Sequence, residues 1–322
     1  MYSLVYLYLI IGLLLISYGA NLLVTSTENI ANKFNISHFI SSFIFIGIAT
    51  SAPEIFISII STLDGSGNIA IGNALGSNIA NICFVFALTI LLFRSRISKN
   101  NKILSIETKF FIIIVIILSM LMYPILKDGV VTVANSITLL IFFTLSYYLY
   151  KKYFYLDIVD AGENHRYISK LRIFIVLITG LTLLLTGTKI FLDSSITIAE
   201  SFGISDYVIG LSITAIGTSL PELASSIESA RKKNFDFIIG NVLGSNIFNI
   251  AIVISIVGFL DNGLSQALSE LNVIRDIAMI LITTLGFYII IKNYNQYLTK
   301  ILCLVLLFSY ILYQFNLYGI NI

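Results

Sequence analysis

The sequence predicts an all-α integral membrane protein: ten transmembrane helices forming two inverted five-helix repeats, with broken helices at the midplane. Three observations predict it. The 322 residues are 57% hydrophobic and only 11% charged, too little charge to cover a water-facing surface of that size. Ten apolar stretches each reach the length of about 20 residues that crosses a hydrocarbon core. Finally, the chain shifted by 168 positions matches itself without a gap. Alternation of apolar and polar residues is absent, which argues against a β-barrel.

The first span, Ser3–Thr25, has no basic leading segment, and "YGANLL" is a poor cleavage site, so it reads as a retained helix. Ser37–Leu63, Asn68–Phe93, Thr108–Leu126 and Val130–Tyr150 complete the first set. Leu171–Leu192, Ser205–Ala230, Phe235–Leu260, Val273–Ile291 and Leu298–Tyr318 form the second. The chain therefore divides into a first repeat over 1–150, a short polar linker over 151–170 and a second repeat over 171–322.

Lysines and arginines orient these spans. One set of loops and span ends carries Lys33, Arg94, Arg96, Lys99, Lys102, Lys151, Lys152, Arg166, Lys170, Arg172, Arg231, Lys232, Lys233, Lys292 and Lys300. The other set holds little beyond Lys127, Lys189 and Arg275. This places the linker in the cytoplasm and both termini outside it, in a multi-pass protein of the cell membrane.

The repeat is strongest where polar residues fall. Gly19 meets Gly187, Phe34 meets Phe202, and Ile36-Ser37 meets Ile204-Ser205. Between Gly47–Ile82 and Ala215–Ile250, 18 of 36 positions are identical, among them Thr50, Ser51, Pro53, Glu54, Gly72, Asn73, Gly76, Ser77, Asn78 and Asn81. An odd number of spans per half inverts the second half relative to the first. That layout is typical of secondary transporters, whose sites lie near the midplane between the repeats.

"ATSAPE" (49–54) and "GTSLPE" (217–222) lie inside the second and seventh spans. In a water-soluble protein, Ser-x-x-Glu with an early proline reads as a capped helix start. Within a span it breaks the helix and frees carbonyls, which are tolerated only where they line a cavity or a site. A carboxylate exposed at the bilayer centre costs about 2.5–3.5 kcal/mol on insertion scales, and no lysine or arginine lies in the spans at similar depth to Glu54 or Glu222. Two such groups call for a cation. Thr50, Ser51, Thr218 and Ser219 add hydroxyls. Asn73, Ser77 and Asn81 share one helix face at i, i+4, i+8, and Asn241, Ser245 and Asn249 repeat that face. Oxygen ligands without thiolate or imidazole suit a hard cation such as Ca²⁺; two carboxylates balance one Ca²⁺ or two Na⁺.

Other features read as structural. The Gly-x-x-x-Gly pairs Gly72/Gly76 and Gly240/Gly244 read as close helix packing. Cys83 and Cys303 have no metal-ligand or disulfide spacing, His38 and His165 lie in or near loops, and Asp64, Asp128 and Asp261 are ordinary loop acids. Glu228 and Arg231 read as a solvated i, i+3 pair, Arg231-Lys232-Lys233 as a topology signal meeting lipid headgroups, and Tyr147, Tyr148 and Tyr150 as interface anchors.

"ATSAPE…GNALGSNIANI" and "GTSLPE…GNVLGSNIFNI" resemble the two alpha-repeats of the cation/calcium exchanger superfamily, most closely its prokaryotic sodium/calcium exchangers. The resemblance implies exchange of several Na⁺ for one Ca²⁺ by alternating access. It assigns Ca²⁺ to Thr50, Glu54, Thr218 and Glu222, and Na⁺ to Gly47, Ser51, Ser77, Ala215, Ser219 and Ser245 together with both glutamates. Asn73, Asn81, Asn241 and Asn249 support the site, and the first and sixth spans form a sliding gate. Some relatives, including potassium-dependent ones, carry an aspartate at the position of Asn249; asparagine here implies potassium-independent exchange.

Two readings stay open beside Na⁺/Ca²⁺ exchange. A Ca²⁺/H⁺ antiporter would use the same scaffold, since a buried carboxyl also binds a proton. A passive cation channel fits less well, because one carboxylate pair at broken helices differs from a ring of charges. No nucleophile–base arrangement or phosphate loop points to an enzyme. The implied partners are Na⁺, Ca²⁺ and the lipid bilayer, with no cofactor, no nucleic acid and no protein partner.

Overall fold

A computed structural model describes residues 2–93, 105–128, 130–153, 169–202, 215–261, 270–293 and 295–317. Every secondary-structure element among them is helical. Eight helices are long and apolar enough to cross a membrane, and the bent pair His38–Thr50 and Ala52–Leu63 adds a ninth candidate. Of the expected span Ser205–Ala230, only the part from residue 215 onward is described. Arg94, Arg96, Lys99, Lys102, His165, Arg166 and most of the expected linker also lie outside the described residues.

In chain order the helices are α1 (Tyr2–Phe34), α2 (His38–Ser41), α3 (Gly47–Thr50), α4 (Ala52–Leu63), α5 (Gly67–Ala80), α6 (Ala87–Phe93), α7 (Ile106–Leu126) and α8 (Val133–Tyr153). There follow α9 (Lys170–Ser201), α10 (Ala215–Thr218), α11 (Leu220–Arg231), α12 (Phe235–Phe248), α13 (Ile254–Leu260), α14 (Glu270–Lys292) and α15 (Gln296–Leu317). Three π-helical turns, Ser42–Ile46, Asn81–Phe86 and Asn249–Val253, join α2 to α3, α5 to α6 and α12 to α13.

The continuous spans Gly67–Phe93 and Phe235–Leu260 form the centre, with 72% and 83% of their apolar windows buried, against 33% and 28% for the first helix and for Lys170–Ala199. Around that centre α7 packs on α14, α8 on α13 and α15 on α6. Aromatic contacts tie the layers, with ring centroids 4.4 Å apart for Phe43–Phe111 and for Phe86–Phe287.

The peripheral helices α1 and α9 lie against each other through glycines. A Cβ on Gly12 would stand 2.9 Å from Gly187 O, and one on Gly19 would stand 2.8 Å from Gly180 O. Only glycine allows backbones that close.

The halves also share details of backbone geometry. Gly65 (φ 77°) ends α4 and Lys233 (φ 58°) ends α11, each in the left-handed region. The hydrogen bonds of the two turns correspond: Ser66 N donates to Ser61 O at 2.7 Å, and Asn234 N to Ser229 O at 2.9 Å.

Helix α1 runs well past the expected end at Thr25. Its polar stretch stays helical because the hydroxyls bond back to the preceding turn: Thr25 Oγ1 donates to Asn21 O (2.7 Å), and Ser26 and Thr27 donate to Leu23 O (2.9 and 2.8 Å). Tyr147 and Tyr148 are exposed, as interface anchors are. Tyr150 is a correction, because it is buried and its phenol donates to Glu107.

Candidate functional site

Both motif segments break their helices at the serine. Ser51 (φ −79°, ψ 3°) separates α3 from α4 with a bend of 41°, and Ser219 (φ −86°, ψ 2°) separates α10 from α11. Pro53 and Pro221 occupy the first turn of the new helix, where a missing N–H leaves no bond unmade. The capping pattern is not realised as a cap: neither serine side chain accepts from its helix start, and both hydroxyls are buried without a hydrogen bond among the described residues.

Glu54 and Glu222 stand at the heads of α4 and α11, each 0% exposed. Helix α11, headed by Glu222, packs on α3, the short helix that ends at Thr50 just before the Ser51 break. Ser77 Oγ donates to Glu54 Oε1 at 3.3 Å. Glu54 Oε2 and both carboxylate oxygens of Glu222 accept no hydrogen bond among the described residues, and no ion pair there involves either residue. Buried carboxylate oxygens left this way are costly unless another positive group meets them.

Some of the hydroxyls and amides expected around them are joined by hydrogen bonds to the breaks. Thr50 Oγ1 lies 3.2 Å from Asn241 Oδ1 and 3.2 Å from Ser245 Oγ, while Ser245 Oγ donates to Gly47 O at 3.4 Å. Asn241 Nδ2 reaches Ser225 Oγ (3.0 Å), Ser226 Oγ (3.2 Å) and Glu222 O (3.3 Å), so this amide joins α3 to α11. Thr218 is buried, and Ala215 opens α10. Asn73 Nδ2, Asn81 Oδ1 and both polar atoms of Asn249 are buried without a partner among the described residues.

The π-helical turns carry the asparagines. The turn that begins at Asn81 packs on α11, headed by Glu222, and the turn that begins at Asn249 packs on α4, headed by Glu54. Each half's π-turn thus lies against the other half's glutamate helix. π-turns recur at functional sites because they shift a side chain's direction within a continuing helix.

Sequence reasoning passed over Asn78 and Asn246 as site residues. Asn78 Nδ2 donates to Asn246 O (3.2 Å), Asn246 Nδ2 donates to Asn78 O (3.3 Å), and Asn81 Nδ2 reaches Asn246 Oδ1 (3.1 Å). The two halves meet through this reciprocal pair. The signal was present, since both asparagines are identical across the repeat.

The glycine pairs behave differently from one another. A Cβ on Gly240 would overlap Phe39 O, and one on Gly244 would stand 2.6 Å from Phe43 O, so the segment before α3 lies directly on α12. Gly72 and Gly76 have no described atom within 4 Å of such a Cβ. The packing expected of them is therefore not found among the described residues; their repeat-equivalent partners, residues 207 and 211, lie outside that set.

A second polar cluster ties α1 to the lysine-rich end of α11. Asn21 Nδ2 donates to Glu228 Oε1 at 2.6 Å, and Lys232 Nζ donates to Thr25 Oγ1 at 2.6 Å and approaches Glu28 Oε2 at 3.4 Å. Arg231 Nη1 does lie 3.6 Å from Glu228 Oε2, but Glu228 is only 8% exposed. The pair expected to be solvated is buried on its acidic side, because α1 covers it. His38 has a structural setting, with Nδ1 3.0 Å from Asn234 Nδ2 and its ring edge-on to Phe237.

The family profile described as sodium/calcium exchanger protein matches residues 4–151 and again residues 172–319. The chain belongs to the sodium/calcium exchanger family. The exchanger is 30% identical over 293 residues to the inner membrane protein YrbG of Escherichia coli (strain K12), covering 87% of this chain and 86% of that one. It is 26% identical over 310 residues to the sodium/calcium exchanger MaX1 of Methanosarcina acetivorans, covering 79% and 82%. Among solved structures it resembles the sodium-calcium exchanger NCX_Mj soaked with Na⁺ and Sr²⁺, with a TM-score of 0.79, 30% identity, and coverage of 97% of this chain and 99% of that one.

Proposed function

We propose that this exchanger is a secondary active antiporter that moves Ca²⁺ against Na⁺ through a single site between Glu54 and Glu222. The carrying observation is the pair of wholly buried carboxylates, three of whose four oxygens accept no hydrogen bond among the described residues. A divalent cation bound with Thr50 and Thr218 neutralises both. Na⁺ occupies flanking positions made by Gly47 and Ala215 carbonyls, by Ser51, Ser77, Ser219 and Ser245, and by the same carboxylates. Because the two ions share these charges, they bind in alternation, and that competition is the basis of coupling. Asn73, Asn81, Asn241 and Asn249 orient the ligands, and with asparagine at 249 the site needs no K⁺.

The architecture we infer is ten spans in two inverted repeats, 1–150 and 171–322, joined by a cytoplasmic linker, in the plasma membrane with both termini outside. Two observations support it: the family profile matches two segments displaced by 168 positions, and the serine breaks, glutamate-headed helices and asparagine turns recur at that displacement. The helices α1 and α9, joined by their glycines and largely free of the central spans, are the moving gate. Sliding this pair across the centre exposes the site to one side and then the other.

Proteoliposomes loaded with Na⁺ and diluted into Na⁺-free buffer, with K⁺ and pH equal on both sides, test the reading. Ca²⁺ uptake that requires internal Na⁺ and disappears in Glu54→Gln is expected. Uptake driven only by an imposed proton gradient would transfer the mechanism to Ca²⁺/H⁺ antiport, and gradient-independent flux would make it a channel.

A further inference from the structure

A cleft of about 350 Å³ lies between α7 and α14, away from the carboxylate site, lined by Lys109, Ile112, Ile113, Ile116, Thr284, Leu285 and Tyr288. Its walls are almost wholly apolar, and Ile113 and Leu285 at its rim are 54% and 57% exposed. Charge is confined to one end. Lys109 stands in the second turn of α7, and Lys292 at the end of α14 holds its ammonium 5.7 Å above the ring of Tyr288, itself part of the wall. None of the ion pairs among the described residues uses Lys109 or Lys292.

We propose that this cleft is a binding site for one anionic phospholipid, with its phosphate between Lys109 and Lys292 and one acyl chain along Ile113, Ile116 and Leu285. The proposal rests on the membrane placement above, which sets both lysines at the same face, and it is independent of which cation is coupled. Charge complementarity selects the occupant: a wholly apolar groove would take any acyl chain, whereas two ammonium groups at headgroup level favour a net negative head. The ring of Tyr288 adds an aromatic wall of the kind enriched at membrane–water interfaces.

The test is thermal unfolding of the full chain in a neutral detergent, titrated with phosphatidylglycerol or phosphatidylcholine. Phosphatidylglycerol is expected to raise the Tm of the wild type at mole fractions where phosphatidylcholine does not. The double variant Lys109→Gln/Lys292→Gln should weaken the apparent affinity roughly 30-fold, from the usual contribution of a basic side chain near an anionic surface. Ile113→Trp, which fills the cleft and leaves both lysines in place, should abolish the selective shift, while Lys300→Ala, at the same face outside the cleft, should leave it intact. Equal shifts with both lipids, an undiminished shift in the double variant or in Ile113→Trp, or an equal loss in Lys300→Ala would each overturn the site. Na⁺/Ca²⁺ exchange by the double variant in neutral lipid reads the transport proposal separately, because the lysines lie outside the ion site.

Discussion

Replacing Gly19 with alanine tests the joint between α1 and α9. The new methyl would lie 2.6 Å from Leu184 N, short by about 0.8 Å of the 3.4 Å at which ordinary contact begins. The atoms it meets, Leu184 N and Gly180 O, belong to a helix backbone, so no rotamer change relieves the clash. The helices must part along the whole joint, loosening the second contact at Gly12 and Gly187. Overpacking of this kind costs about 1–3 kcal/mol. If that strain falls unequally on the inward and outward arrangements, exchange slows about 5- to 150-fold at 1.36 kcal/mol per decade. Initial rates of Ca²⁺ uptake into Na⁺-loaded vesicles measure this, alongside equilibrium Ca²⁺ binding, which should stay near wild type because none of the proposed ion ligands lies on α1 or α9. Gly286→Ala is the control, since its nearest neighbour is the movable side chain of Leu306 at 3.2 Å. Wild-type exchange and an unchanged Tm in Gly19→Ala would refute the idea that this joint holds the gate together.

Three further substitutions probe the frame. Glu228→Ala strands Asn21 in the interface between α1 and α11 and should cost about 1–3 kcal/mol, seen as a lower Tm in detergent; no change would mean the cluster adds nothing. Asn246→Ala removes one side of the reciprocal amide pair and should lower the Tm by a similar free energy, with weaker ion binding through the displaced Asn81; a variant of normal stability and affinity would confine Asn246 to a passive role. Lys233→Gly relieves a left-handed non-glycine residue of the kind that costs about 1–2 kcal/mol, and should raise the Tm without altering exchange, whereas a fall in Tm would contradict that account of the turn.

The parts of this protein legible in its sequence are those where polarity breaks an apolar run. Glu54, Glu222 and the residues of their two motifs declared themselves because a carboxylate inside a span demands an explanation. The boundary of α1 did not, because hydropathy ends a span where serine and threonine begin, whereas their hydroxyls satisfy themselves on the preceding turn and let the helix continue. Glu228 was read from its neighbour Arg231 alone; its burial depends on Asn21, 207 positions away. The π-turns at Asn81 and Asn249 leave no compositional trace, and neither does the joining of the halves by Asn78 and Asn81 on Asn246. Only the repeat marks Asn78, Asn81, Asn246 and Asn249, and it marks them equally.

The most direct test of the central claim is equilibrium Ca²⁺ binding to the purified protein as Na⁺ is raised at fixed pH and constant ionic strength, compared with Glu54→Gln and Glu222→Gln. Shared carboxylates predict that Na⁺ displaces Ca²⁺ competitively, with Ca²⁺ binding lost in either variant while the fold survives. Ca²⁺ binding that is indifferent to Na⁺, or that persists in both variants, would contradict a single alternately occupied site.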